Sequence, residues 1–304
     1  MTTQAAELVR PKPATLSARI VEFLTRSPVH IVLIIVAVVW LVPSVGLLIT
    51  SFRPRPDIAS SGWWETLSTA NFTIDNYDQV LSGADMGSSF VNSLFISIPA
   101  TLLPLFIGAL AAFAFSWINF PFRDTIFLAI VALMVVPIQM SLVPMLKLFQ
   151  SLGENLVGDR TFLTGSFGAI WLAHCAFALP FCIFLLRNFF ITLPRDLIEA
   201  ARVDGASNFR IFLRVVLPLS VPALASFAIF QFLWVWNDLL MSLVFVQEPD
   251  LLPMTVRISQ VQSTYGVEWH LLSAGSFVLM AVPLIVFFSL QRFFVQGLLA
   301  GSVK

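Results

Sequence analysis

Charge is scarce. In 304 residues there are 17 Lys+Arg and 17 Asp+Glu, 11% of the chain, against roughly a quarter in ordinary soluble domains. The formal net charge is zero and says nothing about partners; so little charge in so apolar a chain excludes a nucleic-acid binder. Cysteine is nearly absent. Cys175 and Cys182 share one apolar run, which gives no disulfide framework and no metal quartet; they read as small apolar packing residues. Only Lys12, Lys147 and Lys304 are lysines, and none ends a G-x-x-x-x-G-K-S/T phosphate loop. ATP hydrolysis by that mechanism is excluded. His30, His174 and His270 are scattered, so no metal-ligand cluster or nucleophile–base pair appears. The chain is not read as an enzyme and is expected to bind no cofactor.

What is present is apolar. Hydrophobic residues make up 58% of the chain, and mean hydropathy is +0.90. A soluble domain of this length could not cover so much apolar surface. Six charge-free runs are long enough to cross about 30 Å of hydrocarbon: Ser27–Phe52, Met86–Phe122, Thr125–Leu146, Thr161–Leu186, Val215–Asn237 and Trp269–Gln291. None alternates as a barrel strand would. The expectation is an all-α integral membrane protein with six transmembrane helices. The second run is too long for one straight helix, so an interfacial lead-in and kinks at Pro99 and Pro104 are expected. The first run is too long for a signal-peptide core and lacks a small-residue cleavage site, so it reads as an uncleaved helix.

Basic residues orient the spans. Arg10, Lys12, Arg19, Arg26, Arg123, Arg187, Arg195, Arg202, Arg210, Arg214, Arg292 and Lys304 fall on one side, and Arg53, Arg55, Lys147, Arg160 and Arg257 on the other. Both termini are therefore expected in the cytoplasm. The organisation predicted is a cytoplasmic segment 1–26, a six-helix domain 27–296 and a cytoplasmic tail 297–304.

Residues 187–218 form a disproportionately long loop between runs four and five. Pro194 opens a helix with Asp196 and Glu199 near its positive end. Leu193, Leu197 and Ala201 fall on one face with Ile198 beside them, and Gly205 is placed to end the helix in a left-handed conformation. Ser207 then caps a second helix carrying Phe209, Ile211, Phe212 and Leu213. Such a hairpin could lie on lipid headgroups; Ala200 and Ala201 favour close docking to another protein instead.

Glu199-Ala200-Ala201, three residues, Gly205, nine residues, Val215, one residue and Leu217-Pro218 resemble the EAA loop of ABC importer permeases, with Val215 where that motif has isoleucine. Trp236-Asn237-Asp238 and the ending Gln291–Lys304 are similar to carbohydrate-importer permeases of the MalG type, with an α-glucoside or oligosaccharide flavour. The resemblance implies ATPase coupling through Glu199, Ala200, Ala201, Asp204, Gly205, Leu217 and Pro218. It implies a tail contact to the ATPase pair at Gly297, Gly301 and Lys304, reached by an extended path. It also implies a MalF-like second permease, two ATPase subunits carrying ATP and Mg, an extracytoplasmic solute-binding protein, and a multi-pass place in a bacterial or archaeal cytoplasmic membrane.

The fifth run continues past Asp238 to Gln247, which makes Asp238 the one acid inside a span, costly enough to face the bundle interior or a wet cavity. It serves either a translocation path or a structural hydrogen bond. Gln231, Trp234, Trp236 and Asn237 join it as candidate sugar contacts, with Gln139 more remote; His174 reads as a core histidine. A secondary transporter would favour paired intramembrane charges, which are missing. An ABC permease for another solute class, such as an amino acid, would share the EAA loop but not the carbohydrate-type ending.

Overall fold

The computed structural model describes residues 16–83, 86–264 and 268–300, and among these it is helical with no strand. Four helices are long and apolar enough to cross a membrane: α1 (Leu16–Ser51), α2 (Met86–Trp117), α5 (Gly168–Phe190) and α11 (Trp269–Ala300). Between them lie α3 (Arg123–Ala132), α4 (Ile138–Val157), α6 (Arg195–Val203), α7 (Asn208–Ile211), α8 (Val221–Trp236), α9 (Leu240–Phe245) and α10 (Met254–Thr264). Six spans result if each of two bent pairs counts as one.

The third and fifth of the expected spans are each bent. Arg123–Val135 and Ile138–Val157 meet at 105°. Val136 is extended there (ψ 119°) and Pro137 follows; proline pushes its predecessor out of the helical region. Asn208–Leu219 and Val221–Trp236 meet at 76° around Ser220, which Pro218 and Pro222 bracket.

The long second run begins as a single helix: α2 has 32 residues, about 48 Å at 1.5 Å per residue, more than about 30 Å of hydrocarbon requires. The run breaks after Trp117, and Phe122 turns the chain at φ 59°. Pro99 and Pro104 sit inside α2 without ending it. Each proline frees the carbonyl four residues earlier. Trp171 Nε1 donates to the carbonyl of Phe95 at 2.9 Å, and Gln231 Nε2 to that of Ala100 at 3.3 Å. The same device recurs in α11, where Pro283 frees the Leu279 carbonyl and Trp236 Nε1 reaches it at 2.9 Å. Neighbouring helices thus complete backbone hydrogen bonding where water is excluded.

The most extensive helix pairing is α2 with α5. Gly108 faces Cys182, with room for no side chain between them, as small residues permit in membrane helices. α8 packs against both α2 and α11. The α1 window that could span is only 6% buried, with residues such as Val32 and Ile34 exposed. At the other end, α11 continues to Ala300 and carries Gly297 inside it, where an extended path was expected. Leu298, Leu299 and Ala300 are strong helix formers that offset one glycine, a cost of about 1 kcal/mol. Gly301 and Lys304 lie outside the described residues.

Candidate functional site

The loop 187–218 folds as a helix, a tight turn and a second helix. Pro194 precedes α6. Asp204 follows it, Gly205 takes φ +76°, and two hydrogen bonds close the turn: Gly205 N to Arg202 O and Ala206 N to Ala201 O, both 3.0 Å. This is a Schellman closure, which satisfies carbonyls that a helix end leaves open. Ser207 caps α7, its hydroxyl accepting the Arg210 amide at 3.4 Å. The chain then passes through a π-helical turn, Phe212–Val216, into Leu217 and Pro218.

One face of this hairpin belongs to the protein core. Ile198, Ile211, Phe212 and Val216 are each at most 1% exposed and cluster with Phe113, Leu186 and Phe190. The hairpin is therefore not a lipid-surface element on that side. The buried face is centred on Ile198, with Leu193 and Ala201 partly covered, while Leu197 is 46% exposed instead of joining them. A register set by Pro194 explains this: 198 and 201 lie one turn apart, and 197 falls to their flank. Glu199, Ala200, Asp204 and Val203 are exposed, leaving the second face open.

Ties that the sequence did not announce anchor the hairpin. Arg202 Nη2 donates to the carbonyl of Trp117, the last residue of α2, at 2.8 Å. The Arg187 guanidinium stacks 4.1 Å from the Phe127 ring and lies 3.8 Å from Asp124 Oδ1. Arginines near an apolar loop were legible, but their acceptors lie 60 or more residues away in sequence.

The second feature is a cleft of about 320 Å³. Its walls are the break before Pro137 (Leu133, Met134, Val136, Ile138), α5 (His174, Phe177, Ala178, Phe181), α8 (Phe230, Gln231, Trp234) and Met241 of α9. Of the residues read from sequence as sugar contacts, it gathers Gln231, which is buried, and Trp234, which is 59% exposed. Trp236 points away. It is 2% exposed, bonded to Leu279 and edge-on to Phe90, so it is a packing residue. Asn237 is exposed and donates to Leu233 O at 2.8 Å, closing α8. Gln139 is exposed on the first turn of α4 and is not part of the cleft wall.

Asp238 sits between α8 and α9. Its Oδ2 accepts the Ser242 amide at 3.2 Å, and its main-chain oxygen accepts the Thr255 hydroxyl at 3.2 Å. His174, a wall residue that sequence reasoning left to the core, is 2% exposed. Its Nε2 has no hydrogen-bond partner among the described residues and lies 3.8 Å from Asp238 Oδ2.

Comparison with known proteins decides the family. The model described as binding-protein-dependent transport system inner membrane component matches residues 104–300. The chain belongs to this family. It is a permease component of an ABC-type importer. The permease is 49% identical to an osmoprotective compounds uptake permease protein of Synechocystis sp., over 93% of this chain and 94% of that one. It is 37% identical to an alpha-glucoside transport system permease protein of Rhizobium meliloti, over 92% and 98%. Its fold matches a crystal structure of a bacterial ABC transporter involved in import of the acidic polysaccharide alginate, with TM-score 0.72 and 19% identity, over 93% of this chain and 99% of that one.

Proposed function

We propose that the permease forms half of an ATP-driven pathway importing a neutral carbohydrate of the α-glucoside class. It would pair with a second, MalF-like permease, receive solute from a binding protein outside the cell, and couple through loop 187–218 to two ATPase subunits. ATP and its magnesium would reside on those subunits. The observation that carries the reading is the hairpin: Ile198, Ile211 and Phe212 lock one face into the core, while Glu199, Ala200, Val203 and Asp204 stay open. A rigid, half-buried lever with a small-residue face suits a groove in another protein. Its movement would carry α2 and α5, a hinge-type change with energy supplied elsewhere. The name of the Rhizobium meliloti relative, an alpha-glucoside transport system permease protein, supports the solute class. The cleft with Gln231 and Trp234 is proposed as this chain's share of the pathway, and the excess of basic residues supports both termini in the cytoplasm.

Reconstitution in liposomes with the partner subunits and the binding protein tests this. ATP-dependent accumulation of radiolabelled sucrose or trehalose is expected. ATP hydrolysis without accumulation of either sugar would defeat the carbohydrate assignment.

A further inference from the structure

His174 is the polar group that the cleft does not explain. The Val136–Pro137 break supplies one wall of the cleft, and Met241, in α9 just past the end of α8, supplies another. Irregular backbone at membrane depth is tolerated where it lines a cavity, and an apolar pocket with a few converging polar groups is the usual form of a small-molecule site. A buried ring nitrogen without a partner calls for an explanation. Here Nε2 faces Asp238 Oδ2 across 3.8 Å, too long for a hydrogen bond but one small adjustment from it. The carboxylate is fixed by the Ser242 amide, so Asp238 does not depend on His174 for its position. With Nε2 turned to Asp238, the edge carrying Nδ1 is the one left for the cleft. A carboxylate that holds one nitrogen of an imidazole as N–H leaves the other as an acceptor.

We infer that His174 is a solute-contacting residue whose Nδ1 accepts a hydroxyl of the carbohydrate, with Asp238 as the positioning residue that orients the ring. This rests on the carbohydrate reading above. Gln231, tied to the Ala100 carbonyl, and the exposed face of Trp234 complete the contact set on the opposite helix.

The test uses the reconstituted complex and the concentration of sucrose or trehalose giving half-maximal uptake. His174→Phe should raise it about tenfold, the worth of one hydrogen bond of ordinary strength. The amide of Asn superimposes on Nδ1 and that of Gln on Nε2. His174→Asn should therefore restore much of the affinity, and His174→Gln should not. The two amide variants also decide the matter if the Phe variant fails to assemble. Rescue by Gln and not Asn, or unchanged half-saturation in all three, overturns the inference and leaves carbohydrate import standing. Absence of sugar uptake by the unaltered complex overturns both.

Discussion

The indole of Trp236 donates to the carbonyl of Leu279 at 2.9 Å, and the residue four positions after Leu279 is Pro283. A helix with any other residue at 283 would use its own amide there. The tryptophan replaces the missing donor and joins α8 to α11. Its neighbours Phe90 and Phe232 pack around it. A residue read from sequence as a candidate sugar contact is thereby accounted for by an open backbone carbonyl on another helix.

Trp236→Phe should lower stability by about 1–3 kcal/mol through the unsatisfied carbonyl and lost packing, with half-saturation for sugar unchanged. In a Pro283→Ala background residue 283 regains its amide, so the same substitution should cost about 1 kcal/mol less. Thermal unfolding of the four proteins in detergent measures this. An identical cost in both backgrounds would show that the pairing with Pro283 is incidental.

Gly205 holds φ +76°, and a Cβ there would meet nothing within 4 Å. Any penalty is therefore conformational and not steric. Gly205→Val should be strained by about 1–2 kcal/mol and misdirect α7, abolishing transport while membrane insertion persists. Gly205→Asn, which tolerates the left-handed region, should retain most transport. Equal transport by the Val and Asn variants would remove the turn from the mechanism.

The hairpin was legible because its signals are local: Pro194, Gly205 and Ser207 each act on backbone within a few residues, and all three do what their chemistry suggests. The count of apolar runs was legible for the same reason. What sequence could not give was pairing across distance. Trp171, Gln231 and Trp236 meet carbonyls 43 to 131 residues away, and only the prolines hinted that such carbonyls would be open. The 105° bend at Val136–Pro137 lies inside a charge-free run, where Pro137 marked a possible break but its angle depends on packing against α5. His174 was set aside because a lone histidine in an apolar run gives no sign of Asp238, 64 residues later.

Gly108→Ala should loosen the α2–α5 pairing. The added Cβ would lie 2.9 Å from Cys182 Cβ and collide with its Sγ; overpacking of this kind costs about 1–3 kcal/mol. Cys182→Ala removes the sulfur alone and should restore part of the loss, and Cys182→Gly more. Thermal stability that does not respond to the residue at 182 would mean the helices shift apart freely.

Arg202 ties the hairpin to the end of α2 through the Trp117 carbonyl, one of the last carbonyls that a helix leaves without an internal partner. The contact is exposed, so its thermodynamic weight is modest, about 1 kcal/mol. Its place matters more, because it joins the proposed lever to the helix that packs most extensively on α5. Arg202→Met keeps the apolar stem and removes every donor. Sugar transported per ATP hydrolysed should fall about fivefold, the ratio that 1 kcal/mol represents, while the ATPase subunits still co-purify, since Glu199, Ala200 and Gly205 are untouched. Arg202→Lys keeps one charged donor and should fall between. Loss of co-purification in the Met variant would place Arg202 in docking instead of transmission, and an unchanged ratio would reduce the bond to a surface contact.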